Sequence, residues 1–177
     1  PEGMNRTWAY NAAGMPDAYR YDRGLGGGVE TAVSGGTYNA RGQLTGYTHG
    51  NNVICTREYD TDTERLTRIF ARKTAGGEVR FQDLRYGYDP VGNPVQITDD
   101  LATSTFTSNQ IIPNTRTFRY DPRYRLIRST GKRHKDATDG VDAPVVPSPA
   151  LTDYVPYTHG YSYDAVGNFT TNQEYKS

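Results

Sequence analysis

Tyr86-Gly87-Tyr88-Asp89-Pro90-Val91-Gly92-Asn93 is the stretch whose reading decides the fold. Tyr86 and Tyr88 stand two residues apart, the spacing that places both rings on one face of an extended strand. Asp89 suits the first position of a type I turn, where it accepts backbone hydrogen bonds. Pro90 presets φ at the next position, and Gly92 takes the positive φ that closes a bulged hairpin. The same order of Tyr, Asp or Asn, two variable residues and Gly returns at Tyr10 to Gly14, Tyr38 to Gly42 and Tyr163-Asp164 to Gly167. Composition alone predicts about 0.2 such matches, so four copies make a repeat. Degenerate copies begin at Tyr59-Asp60 and Tyr120-Asp121, the second with Tyr124 in the glycine position. Repeat starts therefore fall at 10, 38, 59, 88, 120 and 163, and Tyr21-Asp22-Arg23-Gly24 reads as a truncated seventh. Hairpin turns are predicted at 11–14, 39–42, 89–92, 121–124 and 164–167.

The flanks read as strands. An aromatic residue precedes the repeat tyrosine by two in four copies, as Trp8, Tyr86, Phe118 and Tyr161. On the returning side Leu44, Leu126 and Phe169 follow the tyrosine by six, and Leu66 by seven because that copy has one extra residue. Ring and apolar side chain are expected to meet across the ladder, each pair contributing a few tenths to about 1 kcal/mol. The 29 Leu, Ile, Val and Phe residues are too few for a comfortable compact core. Yet 15 tyrosines and zero formal net charge argue against a disordered chain. The composition fits a broad, shallow β surface covered by rings.

Other constellations carry no chemistry at sequence level. Zero net charge excludes the footprint of a nucleic-acid binder, and Arg72-Lys73 and Lys132-Arg133-His134-Lys135 read as solvated loops. No apolar run reaches membrane-span length, and no charged-then-apolar leader is present. Pro1 in place of an initiating Met reads as a fragment or processed piece. Cys55 has no partner for a disulfide and reads as a small strand residue rather than a nucleophile. The run 23–28 lacks the Lys-Ser/Thr of a phosphate loop. Asp60 to Glu64 imitates a calcium loop, but Arg65 and Ala71 stand where Gly and Glu are required. His49, His134 and His159 have no ligand spacing. Asn5-Arg6-Thr7 and Asn168-Phe169-Thr170 are glycosylation triplets, relevant in a eukaryotic source. No catalytic set, cofactor or metal is expected, and the chain is read as no enzyme.

These Tyr-Asp-x-x-Gly units resemble the YD repeats of the RHS family. From Gln82 onward the likeness becomes more specific: 82–93, then Phe118-Arg119-Tyr120-Asp121-Pro122-Arg123-Tyr124-Arg125-Leu126-Ile127, then Tyr161 to Asn168, resemble the C components of bacterial insecticidal Tc toxin complexes. It is fair over 36–81 and weak before that. The resemblance implies an all-β fold of tandem hairpins, part of a sheet spiralled into a shell around a toxic C-terminal effector. It implies as partners the remainder of the RHS shell, the other toxin-complex subunits and the encapsulated polypeptide, with no nucleic acid. It also implies a secreted or extracellular virulence assembly. The family's autoproteolytic aspartate site matches no residue here. The alternative is a surface module whose exposed tyrosines stack on glycans.

The structural repeat residues are thus Tyr10, Gly14, Tyr38, Gly42, Tyr59, Asp60, Tyr88, Asp89, Gly92, Tyr120, Asp121, Tyr163, Asp164 and Gly167. Residues 1–177 are read as one repeat segment of a larger shell, interrupted by a Pro-rich loop excursion at 131–160. Within it, 136–156 is expected outside the ladder because four prolines punctuate it. With a thin core and unguarded edge strands, the isolated chain is expected to be marginal, oligomeric or aggregation-prone.

Overall fold

The structure, a computed structural model, describes residues 5–22, 24, 27–102, 104–107, 110–134 and 154–175. They form strands and turns with no helix. The strands are β1 (Arg6–Tyr10), β2 (Pro16–Asp22), β3 (Val29–Tyr38), β4 (Leu44–His49), β5 (Ile54–Tyr59), β6 (Leu66–Lys73) and β7 (Val79–Tyr88). They continue as β8 (Pro94–Asp99), β9 (Thr105–Thr107), β10 (Gln110–Ile112), β11 (Thr115–Tyr120), β12 (Leu126–His134), β13 (Tyr154–Tyr163) and β14 (Phe169–Tyr175). Twelve of them follow chain order in an antiparallel sheet, and β9 and β10 pair separately between β8 and β11. The chain divides into two units, Pro1–Leu84 and Arg85–Ser177, with the division inside β7.

Each repeat is one hairpin. The six repeat turns close β1–β2, β3–β4, β5–β6, β7–β8, β11–β12 and β13–β14, and the links between hairpins lie at the opposite strand ends. At 11–14, 39–42, 89–92, 121–124 and 164–167 the fourth turn residue donates its N–H to the first residue's carbonyl. The φ of Gly14, Gly42, Gly92 and Gly167 runs from 76° to 105°, which glycine adopts without a Cβ clash. Tyr124 holds the same place at φ 62°, and Glu64 takes φ 60° in the turn after Tyr59, where Asp60 N–H reaches Arg65 O across one extra residue.

Cross-strand register places Tyr10 opposite Pro16, Tyr38 opposite Leu44, Tyr59 opposite Leu66, Tyr120 opposite Leu126 and Tyr163 opposite Phe169. The register shifts beside the tyrosine in all five ladders, a bulge that frees one backbone group from regular pairing.

Two readings of the sequence change. The flanks of the 131–160 excursion are strand: Gly131, Lys132, Arg133 and His134 pair with Tyr157, Pro156, Val155 and Tyr154. Pro156 thus stands inside the β12–β13 ladder, opposite Lys132. The rest of the excursion, 135–153, lies outside the described residues. Tyr21 stands near the far end of β2, on a link between hairpins, and its hydroxyl donates to Glu30 Oε2 at 2.7 Å. In the first unit Val53, Cys55 and Ala71 form a small buried cluster against Tyr47; in the second, Ile112 is the apolar residue buried among those described.

Candidate functional site

The repeat tyrosines tie consecutive hairpins together. In the first unit Tyr38 donates its hydroxyl to Pro16 O at 2.6 Å and Tyr59 to Leu44 O at 3.0 Å. In the second, Tyr120 donates to Pro94 O at 2.9 Å and Tyr163 to Leu126 O at 2.8 Å. The acceptor is always the first residue of the returning strand in the preceding hairpin. At Pro16, Leu44 and Leu126 a bulge stands there, so the phenol satisfies a carbonyl outside the regular ladder. Burial, then the neighbouring charge of Asp89, pushes the Tyr120 phenol up from its ordinary pKa. Tyr10 ends β1 with its side chain exposed, and Tyr88 ends β7 before the Asp89 turn.

The turn acids act locally. Asp89 Oδ1 accepts the N–H groups of Gly92 and Asn93, both at 2.8 Å, while Oδ2 accepts Asn93 Nδ2 at 2.8 Å. Asp164 repeats this arrangement with Gly167 and Asn168. The Asn168 amide of the second glycosylation triplet is thus engaged in the turn. Asn11 and Asn39 accept corresponding backbone bonds with Oδ1. These bonds favour the carboxylate form. Asn93 and Asn168 hold Asp89 and Asp164 below the usual carboxylate range, backbone N–H of Thr63 does so for Asp60, and backbone N–H of Arg125 for Asp121.

In three copies the residue after the turn glycine position reaches the next turn, whereas Asn93 and Asn168 bond back to their own turn aspartates. Met15 closes on Gly42, where an added Cβ would lie 2.9 Å from its Cε. Gln43 Nε2 donates to Glu64 O at 3.0 Å, beside an Arg41–Glu64 ion pair. Arg125 binds Asp121 Oδ2 through Nε at 2.7 Å, donates from Nη1 to Asp164 O at 3.3 Å and stacks 4.7 Å above the Tyr163 ring. Long polar side chains at this position can span one repeat, so the turns are fastened side by side as well as through their tyrosines.

The paired aromatics share a face as their spacing requires. Trp8 packs 4.7 Å from Tyr19, and Tyr161 and Tyr163 both approach Phe169, at 6.1 and 4.8 Å. A buried ion pair escaped sequence reasoning altogether. Asp83, 2% exposed, receives Arg68 through Nε at 2.6 Å and Nη2 at 2.8 Å, and the guanidinium also covers the Phe70 ring at 4.6 Å. No local pattern distinguishes this aspartate from a solvated one. Cys55 is buried opposite Tyr47, and among the described residues no three His, Cys, Asp or Glu side chains gather as metal ligands. No described helix is long and apolar enough to cross a membrane.

Comparison with known proteins agrees with this architecture. No protein-family model matches the chain. Toxin subunit YenC2 of Yersinia entomophaga is 37% identical over 150 residues, covering 81% of this chain and 16% of that subunit. Toxin subunit YenC1 of the same organism is 37% identical over 147 residues, covering 81% of this chain and 15% of that subunit. The chain thus spans about one sixth of the length of these relatives. Among solved structures, TcdB2-TccC3 superimposes with a TM-score of 0.77 at 35% identity over 98% of this chain and 8% of that one. A Photorhabdus luminescens Tc holotoxin pore superimposes with a TM-score of 0.76 at 35% identity and the same coverage.

Proposed function

From its likeness in sequence and fold to the C components of Tc toxin complexes, we propose that this chain is a wall segment of an RHS-repeat shell enclosing a toxic C-terminal polypeptide. The tyrosine hydroxyl that binds the preceding hairpin carries this reading: Tyr38, Tyr59, Tyr120 and Tyr163 each join two repeats into a continuous surface. The fourteen structural repeat residues, from Tyr10 to Gly167, act in it as fasteners and turn formers. The wall is non-catalytic, its partners are the remaining shell, the other toxin-complex subunits and the enclosed polypeptide, and it works as part of a secreted bacterial assembly. Glycan stacking has less support, because these four phenols are directed to backbone carbonyls rather than to a ligand.

Limited proteolysis of the complete shell protein tests the proposal. The C-terminal polypeptide is expected to resist protease while the wall is intact and to become sensitive when mild denaturant opens it. Equal sensitivity in both states would refute enclosure.

A further inference from the structure

The ladders of the second unit sort its side chains onto two faces of different chemistry. Thr117 pairs with Thr130 and Arg119 with Arg128, while across β12 Arg128 pairs with Gly160 and Lys132 with Pro156, so the three cations share one face. The opposite face carries Phe118, Tyr157, His159 and Tyr161. It also holds Glu174, the one acidic residue of β11, β12, β13 and β14, which pairs with His159 in register and receives Arg133 Nε at 3.0 Å. On these strands the face of Arg119 therefore bears no carboxylate.

Arg119 and Arg128 are exposed and directly opposed, with Cα atoms about 5 Å apart. Like charges in that position repel. Neither has an ion pair or ring contact among the described residues. An external carboxylate accepting from both guanidinium groups would relieve the repulsion through charge-assisted bonds. Lys132, four residues along β12 from Arg128, is half-buried with its Nζ 5.5 Å from the Tyr154 ring, so the exposed pair is Arg119 and Arg128. Two opposed cations suit a carboxylate of a short acidic segment and are too few to grip a nucleic-acid backbone by counterion release.

Building on the wall reading, we propose that this face docks an extended acidic segment of a neighbouring polypeptide in the assembly, seated on Arg119 and Arg128. The test uses the complete shell protein that contains this segment and fluorescence anisotropy with a labelled ten-residue peptide of alternating Glu and Ser. Salt-sensitive binding is expected, with no binding of the matching Lys and Ser peptide. The double variant Arg119→Ser/Arg128→Ser should bind about tenfold more weakly. Its melting temperature should equal or exceed that of the parent, since a repulsive pair has been removed. Equal binding of both peptides, or unchanged affinity of the double variant, would overturn the proposal. So would tighter binding of a sulfated oligosaccharide, or a lowered melting temperature, which would reveal an intramolecular role for the arginines. Failure here leaves enclosure untouched, because protease protection of the C-terminal polypeptide reads that separately.

Discussion

Tyr163→Phe isolates the hydroxyl that joins the last two described hairpins. The substitution keeps the ring against Phe169 at 4.8 Å and beneath Arg125 at 4.7 Å, and removes only the donor to Leu126 O at 2.8 Å. A net hydrogen bond is worth about 1 kcal/mol, and a partly buried carbonyl left without its donor raises the loss toward about 2 kcal/mol. Tyr163→Ala also removes ring packing, and should cost roughly 3 kcal/mol at this half-buried position. Tyr10→Phe is the internal control, since the Tyr10 side chain is exposed and its hydroxyl has no hydrogen bond among the described residues. The chain has two units, so a single global unfolding energy is a poor readout, and native-state hydrogen exchange at the amides of β12 and β14 is preferable. Exchange there should accelerate about five- to thirtyfold in Tyr163→Phe and stay unchanged in Tyr10→Phe. Equal effects of the two substitutions would refute the inter-hairpin role of the phenol.

Three further outcomes follow from the same geometry. Gly92→Val and Gly167→Val, at φ 105° and 101°, should each destabilise their hairpin by roughly 1 kcal/mol or more, whereas Tyr124→Gly, at φ 62°, should stabilise by up to about 1 kcal/mol. Urea titration of each variant checks this, and a loss of stability in Tyr124→Gly would contradict it. Asp164 is held below its ordinary carboxylate value by Asn168, so its turn gains stability above the unfolded-state value near pH 4 and loses it as pH falls through the lower folded value. Asp164→Asn preserves the form found at Asn11 and Asn39 and should flatten the acid limb of a pH–stability curve; an unaltered limb would count against the assignment. Arg68→Ala removes the guanidinium bound to the buried Asp83 carboxylate and should cost about 3 kcal/mol, while Arg68→Met with Asp83→Leu recovers most of it. Thermal melting of the single and double variants would expose an additive, uncoupled pair.

The turns, the hairpin order and the face that each of Trp8, Tyr86, Phe118 and Tyr161 shares with its own repeat tyrosine were legible in the sequence because each depends on residues a few positions apart. Asp89-Pro90-Val91-Gly92 specifies its own backbone, and spacing of two specifies a strand face whatever lies beyond. That locality also explains the error at the Pro-rich excursion. Pro156 reads as a ladder breaker until β12 is seen to pair with it at Lys132, 24 residues away, which a one-dimensional pattern does not contain. The destinations of the tyrosine hydroxyls, the reach of Gln43 and Arg125 to the next turn and the burial of Asp83 against Arg68 join residues 15 to 39 positions apart. The sequence alone thus determined a repeat of tyrosine hairpins, since turn chemistry and side-chain alternation are local. Only the tertiary structure decided how one hairpin holds the next, because that depends on register between strands and on which carbonyl each bulge releases.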